Sequence, residues 1–431
     1  MHYKKHLKII ILLIPFVLCI SNVKAYDIKD AINIMISKNN QLNIAKRKLE
    51  IAFIQKPKVI TEFLPNVLIE INKTFYNSQN STKLSSYDKE LLIIALEQEI
   101  LSGGSTIAKI IASEISLSSV YQEYNKALNN LILKVIELYQ KVLCTREMVK
   151  IQGKSVDIAR KNIEKSKLQV RIGGETKDSI FRAKSELATL ESNLESFILQ
   201  QRQAELYFRY YVGQDAPKLM NSINIRKYSM VATMTILKKL VNSQNSDLII
   251  YHNNLNYSKQ SINMATSALL PKISIFVNKL SSHYHNSIDS VKEILNFRNY
   301  GIKMQIPLFY KGGVQYLSIL EAKKISSKQE AVLKDIISRV QTETHDLWYH
   351  HMSEKNMFKI ANIAEDNARS SYLSVQDEFI AGAKLITDII KRQYDYNNCI
   401  IARLKQESHY ILSLFKIYNL SSTLSGIMNK T

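Results

Sequence analysis

Glycine, proline and cysteine are scarce in this sequence. It contains 11 Gly, 6 Pro and 3 Cys among 431 residues. So few turn-forming residues exclude a many-stranded Greek-key protein and favour long helices. Cys19, Cys144 and Cys399 lack C-x-x-C spacing, which excludes a zinc finger and a disulfide scaffold. After residue 25 there is no apolar run of about 20 residues, the length that a membrane-spanning helix needs. The sequence therefore predicts a large, helix-rich protein and excludes a helical membrane protein.

The first 25 residues have the pattern of a secretory signal peptide. Lys4, Lys5 and Lys8 precede an apolar stretch over 9–20, and a small residue, Ala25, follows. A charged start, a short apolar segment and a small residue at the cut are typical of an export signal. We predict cleavage after Ala25, with an uncleaved amphipathic anchor as the alternative.

The charge is strongly positive, with a formal net charge of +20 and an isoelectric point near 9.5. Removing the four lysines of the signal leaves 54 basic against 38 acidic residues, a net charge of +16. The basic residues are scattered, and many have acidic neighbours on the same predicted helix face, which is typical of a solvated surface. Because the chain is also predicted to be exported, we predict no nucleic-acid partner.

The two halves of the sequence resemble each other. Leu64-Pro65-Asn66-Val67 recurs as Leu270-Pro271-Lys272-Ile273, an offset of 206 residues. Three glycines recur with an offset of 209, in the pairs Gly103 and Gly312, Gly104 and Gly313, and Gly173 and Gly382. Constant offsets indicate an internal duplication. We predict a signal peptide at 1–25, a first structural repeat at 26–213 and a second at 214–431.

Each repeat contains two segments with strand character. The clearest is the alternation of Tyr300, Ile302, Met304 and Ile306 with other residues. A period of two residues predicts a strand with one apolar face. We predict strands over 64–78 and 87–99 in the first repeat and over 270–280 and 298–308 in the second. Of these, 87–99 alternates poorly.

Long helices are predicted around the strands. One helix is predicted over 28–62, and a long one follows each glycine pair, over 105–171 and 314–380. From Leu128 to Val170 the positions of one seam follow a strict 3-4 spacing, which predicts a coiled coil. The second repeat keeps the seam at Ile337, Val340, Leu347, Phe358, Ala361, Tyr372, Val375 and Phe379. Each long helix would span about 100 Å. The other helices have about half that length, so two of them end to end match one long helix.

An exported chain with a few one-sided apolar strands is typical of an outer-membrane β-barrel. In lipid the sheet must close, and the smallest such barrels have eight strands. The four strands predicted here must then be pooled between subunits. A dimer gives eight strands and a filled interior, whereas a trimer gives twelve and a water-filled path, which favours a trimer for transport.

The alternation also assigns two faces to the predicted barrel. The apolar residues predicted to face lipid are Val67, Ile69, Ile71, Ile273, Ile275, Val277, Tyr300, Ile302, Met304 and Ile306. The residues predicted to face the lumen are Glu70, Asn72, Ser274, Lys303 and Gln305.

Several phrases of the sequence resemble one known family. They are LPNVLIEIN at 64–72, LPKISIFVN at 270–278, MQIPLFYKGG at 304–313 and EFIAGAKLITDII at 378–390. Together with the duplicated helix–strand–strand–long helix–helix layout, they resemble the TolC family of outer-membrane efflux proteins over essentially the whole mature chain. The segment at 307–313 is fairly specific for this family. Its counterpart EQEILSGG at 97–104 has diverged from the family pattern.

The resemblance implies a mainly α fold with a membrane β-barrel. In this arrangement a homotrimer shares a twelve-stranded barrel in the lipid of the cell outer membrane, above a long coiled-coil tunnel in the periplasm. It also implies a periplasmic adaptor (membrane fusion) protein and an energised inner-membrane efflux pump or ABC exporter as partners. The adaptor-facing tips would be Arg171, Ile172, Gly173, Gly174, Ile380, Ala381, Gly382 and Ala383.

The resemblance also indicates an aperture. An acidic residue six positions after the tip glycine is usual in the family, and Asp388 has that place in the second repeat. The first repeat departs from the pattern with Ser179. Because Lys384 and Lys391 lie near Asp388, these three residues are the candidate aperture, and we expect it to favour cations less than is common.

No pattern predicts an enzyme. Gly-x-Ser-x-Gly, His-Glu-x-x-His and paired-carboxylate motifs are absent from the sequence. Gly103 and Gly104 lack the residue order of a phosphate-binding loop, and we interpret them and their counterparts Gly312 and Gly313 as strand-to-helix corners. The histidines around Trp348 do not converge on one helix face. We predict no catalytic residue, cofactor or metal.

Together these patterns predict a passive trimeric outer-membrane channel-tunnel for efflux or type I secretion. The alternative is an exported periplasmic or surface coiled-coil scaffold without a pore, in which the strands form a small capping sheet. The apolar row on the strands favours the channel, because a cap half-exposed to water needs no such row.

Overall fold

The computed structural model describes residues 26–80, 83–228, 233–286, 292–384 and 386–430. The predicted signal peptide, 1–25, lies outside them. The first repeat consists of α1 (Ile28–Lys38), α2 (Asn40–Ile60), β1 (Asn66–Asn80), β2 (Lys83–Ser102), α3 (Ser105–Arg171) and α4 (Lys177–Val212). The second consists of α5 (Met234–Gln244), α6 (Ser246–Ser267), β3 (Lys272–Asn286), β4 (Lys292–Gln305), α7 (Val314–Ile380) and α8 (Ile386–Leu420), followed by α9 (Leu424–Lys430).

The second half repeats the order and the lengths of the elements of the first. α1 and α5 have 11 residues each, α2 and α6 have 21 and 22, and α3 and α7 have 67 each. α4 and α8 have 36 and 35. The fold is therefore mainly helical and built from two helix–strand–strand–long helix–helix units, as the sequence predicted. The boundary between 213 and 214 stays a prediction.

Each repeat begins with two helices, whereas the periodicity of the first repeat predicts one over 28–62. Asn39 interrupts that helix, because its backbone is extended and its side chain caps α2. The Asn39 Oδ1 accepts hydrogen bonds from the N–H groups of Gln41 (2.9 Å) and Leu42 (3.2 Å). These bonds satisfy donors that a helix start would otherwise leave without a partner.

The interrupting asparagine also ties each repeat together. The Asn39 Nδ2 donates to the carbonyl of Tyr211, at the end of α4, over 2.9 Å. In the second repeat Asn245 caps α6, and its Nδ2 donates to the carbonyl of Leu420, at the end of α8, over 2.7 Å. Asn39 and Asn245 are both buried. One asparagine in each repeat therefore starts a helix and binds the end of the returning helix.

The two long helices span the predicted ranges 105–171 and 314–380. In α3 the predicted seam is buried at Leu131, Val135, Leu138, Val142, Thr145, Gln152, Val156, Ala159, Ile163 and Ser166. In α7 the seam is less complete, because Val340 is buried but Ile337 is 38% exposed and Ile336 takes the inward position. α3 has helices of its own chain on both sides, whereas α7 has them on one side, which explains the difference.

α3 is the central helix of the chain. α2, α4, α6 and α8 all pack along it, and α7 packs along α6 and α8. The start of α6 meets α3 where Asp247 pairs with Lys126 at 2.6 Å. α8 meets the other half of α3 where the Asn397 Nδ2 donates to the Ser155 Oγ over 2.7 Å. Within the part of the chain that the structure describes, no helix is long and apolar enough to cross a membrane.

The largest buried cluster lies near the middle of α3, where α1, α9 and the ends of α4 and α8 meet it. Tyr139, Phe208 and Phe415 are its largest fully buried side chains. The Tyr139 hydroxyl lies 2.8 Å from the carbonyl oxygen of Tyr26 and 2.7 Å from that of Asn221. Burial raises the pKa of this hydroxyl, so it stays protonated. The cluster joins the two repeats at one level of the helical part.

The strands form one antiparallel sheet in the order β1-β2-β3-β4. β1, β2 and β3 extend further toward the hairpin loops than predicted, because those parts are polar and carry no apolar alternation. β4 begins at Lys292 rather than at 298 and ends at Gln305. Ile306, predicted as a lipid-facing strand residue, therefore lies just beyond the strand.

Glycine pairs form both strand-to-helix corners. Gly103 and Gly104 precede α3, and Gly312 and Gly313 precede α7, with φ between +62° and +86°. Residues with a Cβ rarely adopt such angles. Gly103 also has no room for a side chain, since a Cβ there would lie 2.7 Å from the carbonyl oxygen of Ser267, at the end of α6. This corner is a close contact between the two repeats.

Gly103→Ala is expected to lower the free energy of unfolding by about 2–3 kcal/mol, from the left-handed backbone and the clash with α6 together. Gly104→Ala is the matched control, because it has the same left-handed backbone but nothing within 4 Å of its Cβ. Its expected cost is about 1 kcal/mol. Guanidinium unfolding curves measure both, and equal losses would contradict a role for the contact at Gly103.

Candidate channel-forming site

One face of the sheet is apolar and exposed near the helices. The register aligns Val67, Leu96, Val277 and Tyr300 in one row across the four strands. The predicted lipid-facing residues within strands all share this face, namely Val67, Ile69, Ile71, Ile273, Ile275, Val277, Tyr300, Ile302 and Met304. Tyr300 and Ile302 are 83% and 74% exposed. A continuous exposed apolar patch of this kind marks a contact with lipid or protein.

β2 adds three residues to the apolar face that the alternation in the sequence does not indicate. Leu92, Ile94 and Leu96 lie opposite the apolar residues of β1 and so share the same face. Their neighbours Leu91, Ile93 and Ala95 are apolar as well. Because the strand is apolar on both faces here, its sequence shows no alternation with a period of two residues. The pairing register therefore assigns the outward residues of β2, which the alternation in the sequence could not do.

The other face of the sheet carries the polar residues predicted to face the lumen. The Ser274 Oγ donates to the Glu97 carboxylate over 2.8 Å, and the Lys303 Nζ lies 3.8 Å from the same carboxylate. The Asn72 Nδ2 donates to Glu70 over 2.7 Å. These polar groups pair with one another on a face that also holds Leu91, Ile93 and Ala95 of β2, so this face mixes polar and apolar residues.

The chain leaves two sides open. β1 and β4 are the edges of the sheet. On the β1 side, α2 and α4 pack along α3, and among the described residues neither packs along a second long helix. On the β4 side, α7 packs along α6 and α8 and leaves its opposite face uncovered. Each open side thus combines a sheet edge with a helix face.

The helix faces on these two sides are apolar. On α4 the exposed apolar residues opposite the buried Phe208 are Phe181, Leu199, Leu206 and Tyr210, which are 56–67% exposed. On α7 the exposed residues turned away from the buried His351 are Tyr349, Ile360 and Ile363, at 68%, 65% and 52%. Positions nine residues apart, such as Ile360 and His351, lie on opposite faces of a helix. Both faces therefore present apolar surface that the chain itself does not cover.

The predicted tips form two equivalent turns. Gly173 and Gly382 are left-handed, with φ of +77° and +80°. The following Gly174 N–H donates to the Gln169 carbonyl over 2.9 Å, and the Ala383 N–H donates to the Glu378 carbonyl over 2.8 Å. This is the glycine-terminated helix end known as a Schellman motif. It places all eight predicted tip residues at the two helix reversals, α3 to α4 and α7 to α8.

The candidate aperture residues lie just after the second tip. Lys384 pairs with Glu378 at 3.9 Å, Asp388 is half-buried in the first turn of α8, and Lys391 is exposed. In the first repeat Ser179 instead donates to the Thr176 carbonyl over 2.7 Å. The two tips have the same backbone conformation, but the position six residues after the glycine is the charged Asp388 in the second repeat and the neutral Ser179 in the first.

Solved structures of outer-membrane channels share this architecture. The Campylobacter jejuni CmeC channel matches with a TM-score of 0.78 and 14% identity, over 92% of this chain and 86% of that chain. The Neisseria gonorrhoeae MtrE channel matches with a TM-score of 0.74 and 15% identity, over 92% and 88%. The Vibrio cholerae outer membrane protein VceC matches with a TM-score of 0.74 and 13% identity, over 91% and 96%. The chain has the TolC fold. No family model and no curated protein match its sequence.

Within this TolC fold, His351 is buried between α7 and α8. The Ser413 Oγ donates to the Tyr410 carbonyl over 2.7 Å and lies 2.7 Å from the His351 Nδ1, which therefore carries the hydrogen. The imidazole stacks on Tyr410, with 5.3 Å between ring centroids. Burial, and to a smaller extent the positive Lys355, lowers the pKa of His351 to about 4. The imidazole is therefore a neutral part of the packing between the two helices.

The stability of this TolC fold is expected to fall as the pH falls from 6.5 to 4. Unfolded His351 takes up a proton near pH 6.5, whereas folded His351 resists it until about pH 4. The unfolded state therefore binds more protons in this window, and the free energy of unfolding drops by about 2–3 kcal/mol. His351→Gln should remove this part of the pH dependence. The exposed His252→Gln should not, and an unchanged pH profile in His351→Gln would contradict the assignment.

No metal-binding cluster of three or more His, Cys, Asp or Glu side chains occurs in the described ranges.

Proposed function

We propose that the protein is a passive trimeric channel of the outer membrane, with its helices in the periplasm. The observation that carries the proposal is the pair of complementary open sides. β1 with α2 and α4 would meet β4 with α7 of the next subunit, which continues the sheet and gives α7 helices on both sides. A head-to-tail contact of this kind makes a ring when its rotation closes.

The heights of the apolar residues support this contact. Leu199 lies 22 residues after the start of α4, and Ile360 lies 20 residues before the end of α7, so both are about 30 Å from the tips. Tyr210 and Tyr349 lie 33 and 31 residues from the same points, at about 50 Å. In a ring, the exposed stripe of α4 would therefore cover the exposed stripe of α7.

The number of strands supports three subunits. One chain has four strands, and a sheet in lipid must close without free edges. Two chains would give eight strands and a filled interior, whereas three would give twelve around a water-filled path. The apolar face would then meet lipid, and the opposite face with Glu70, Ser274 and Lys303 would line the pore.

The energy for export would come from partners. Both tips are exposed glycine turns at the end of the chain opposite to the sheet, which would be the periplasmic end. A periplasmic adaptor would dock there and join the channel to an inner-membrane efflux pump or ABC exporter. Lys384, Asp388 and Lys391 would line the aperture at that end.

The mass of the mature protein, extracted in detergent from the outer-membrane fraction, tests the proposal. Light scattering corrected for detergent should give about 140 kDa, three chains without their signal peptides. A soluble monomer or dimer in the periplasm would contradict the channel. That result would support a coiled-coil scaffold without a pore.

A further inference from the structure

Lys279 and Arg298 form a pair of cations on the apolar face of the sheet. They lie directly opposite each other in the β3–β4 register, and both are exposed. On the other side Lys279 lies opposite Ile94 of β2. Toward the helices, the next residues on this face are Val277 and Tyr300, where the apolar rows of β3 and β4 end.

The described part of the chain supplies no anion to this pair. Among the described residues, neither Lys279 nor Arg298 has an ion pair. The rows on both sides are neutral, with Val277 and Tyr300 toward the helices and Ser281 and Asn296 toward the loops. Like charges that lie directly opposite each other on a sheet repel. The pair is therefore costly unless an anion from outside the chain binds to it.

Two other lysines of the sheet have carboxylate partners. Lys73, on the same face, lies 2.5 Å from Glu90 and 3.7 Å from Asp88. Lys303, on the opposite face, lies 3.8 Å from Glu97. Lys279 and Arg298 differ from these two lysines, because they lie directly opposite each other and have no carboxylate partner among the described residues.

The position of the pair identifies the kind of anion, and this step rests on the proposed channel. The helices lie on the periplasmic side, so the hairpin loops lie on the outside. The pair is between the apolar rows and the loops, where the outer headgroups meet the hydrocarbon. Tyr300, next to it, has the amphipathic side chain that is typical of this level. Phosphate is the anion found at that depth.

We propose that Lys279 and Arg298 bind the phosphate of an anionic lipid at the outer interface of the membrane. The guanidinium of Arg298 would donate two parallel hydrogen bonds to phosphate oxygens, and the ammonium of Lys279 would add a point charge. The neutral rows around them leave this phosphate as the counter-ion of both.

Native mass spectrometry of the mature protein in non-ionic detergent tests the site. Dioleoyl phosphatidylglycerol and phosphatidylcholine are added in turn, and the wild type should retain the first. Lys279→Gln/Arg298→Gln should weaken retention of phosphatidylglycerol about tenfold, the effect of losing charge-assisted hydrogen bonds. Lys73→Gln/Lys303→Gln is the matched control, because it removes the same charge from residues that are already paired, and it should retain the lipid.

The other outcomes are also decisive. Equal retention by the two double variants would overturn the proposal, and so would displacement of the lipid by millimolar inorganic phosphate, which would indicate a free-phosphate site. If the double variant does not assemble, Lys279→Gln alone should still bind more weakly than Lys73→Gln. The mass of the protein without added lipid is read in the same spectra. A trimer with unselective lipid binding would refute the lipid site alone, whereas the lack of a trimer would refute the channel.

Discussion

Leu199→Asp is expected to prevent formation of the trimer. Leu199 is 57% exposed in the single chain, on the face of α4 turned away from α3. In the proposed ring it lies against α7 of the next subunit, at the height of Ile360. A carboxylate there would be buried without a partner, which costs about 3–5 kcal/mol at each contact between subunits. Light scattering in detergent should then give the mass of one chain in place of three.

Leu168→Asp is the control for this experiment. Leu168 is 55% exposed, close to the value for Leu199, and lies on α3. Because α3 has helices of its own chain on both sides, its exposed residues face away from the neighbouring subunits. The same substitution should therefore leave the trimer intact. Loss of the trimer in both variants would indicate a general effect of the charge and would contradict the proposed contact.

A second change sharpens the test of which residues meet. Adding Ile360→Lys to Leu199→Asp places opposite charges at the same height on the two faces. Part of the lost association should return, since a paired buried charge is less costly than an isolated one. Recovery with Ile360→Lys but not with Leu168→Lys would support the proposed alignment of α4 with α7.

The long helices could be predicted because their pattern is strong and local. The glycines at 104 and 173 bound α3 in the sequence, and a 3-4 spacing runs without a break from Leu128 to Val170 inside it. The break at Asn39 was missed because an apolar period continues across it. The signal was present in the duplication, since Asn39 and Asn245 precede matching segments at the same offset of 206. An asparagine repeated before a helix start indicates a cap.

The candidate site could be predicted in part. Alternation assigned the outward residues of β1, β3 and β4, and the register places them on one face. It failed for β2, whose Leu91–Leu96 run is apolar on both sides. The open sides could not be predicted, because they depend on which helices cover α3 and α7. Ile337 is likewise exposed in the single chain, because α7 has helices of its own chain on one side only.

Ile302→Arg is expected to impair insertion of the barrel by about 2–4 kcal/mol, the cost of an arginine on the lipid face near the middle of the bilayer. Ile302 is 74% exposed and lies between Tyr300 and Met304 in the outward rows of β4. The substitution places its charge among apolar neighbours on the strands beside it. The amount of assembled trimer in the outer membrane, compared with the amount that remains soluble in the periplasm, measures the effect.

Ile294→Arg is the control for the depth of the substitution in the bilayer, because it changes the same face of the sheet at a different depth. Ile294 lies on the same strand and the same outward face, eight residues nearer to the hairpin loop, and is 60% exposed. Eight residues of strand cover about 26 Å, so this side chain lies beyond the outer interface, where an arginine costs about 0–1 kcal/mol. A lipid-facing sheet therefore predicts that Ile302→Arg fails to assemble and Ile294→Arg assembles. In a scaffold the sheet would cap a coiled coil in water, and no residue of it would lie inside a bilayer. Both substitutions would then be tolerated equally.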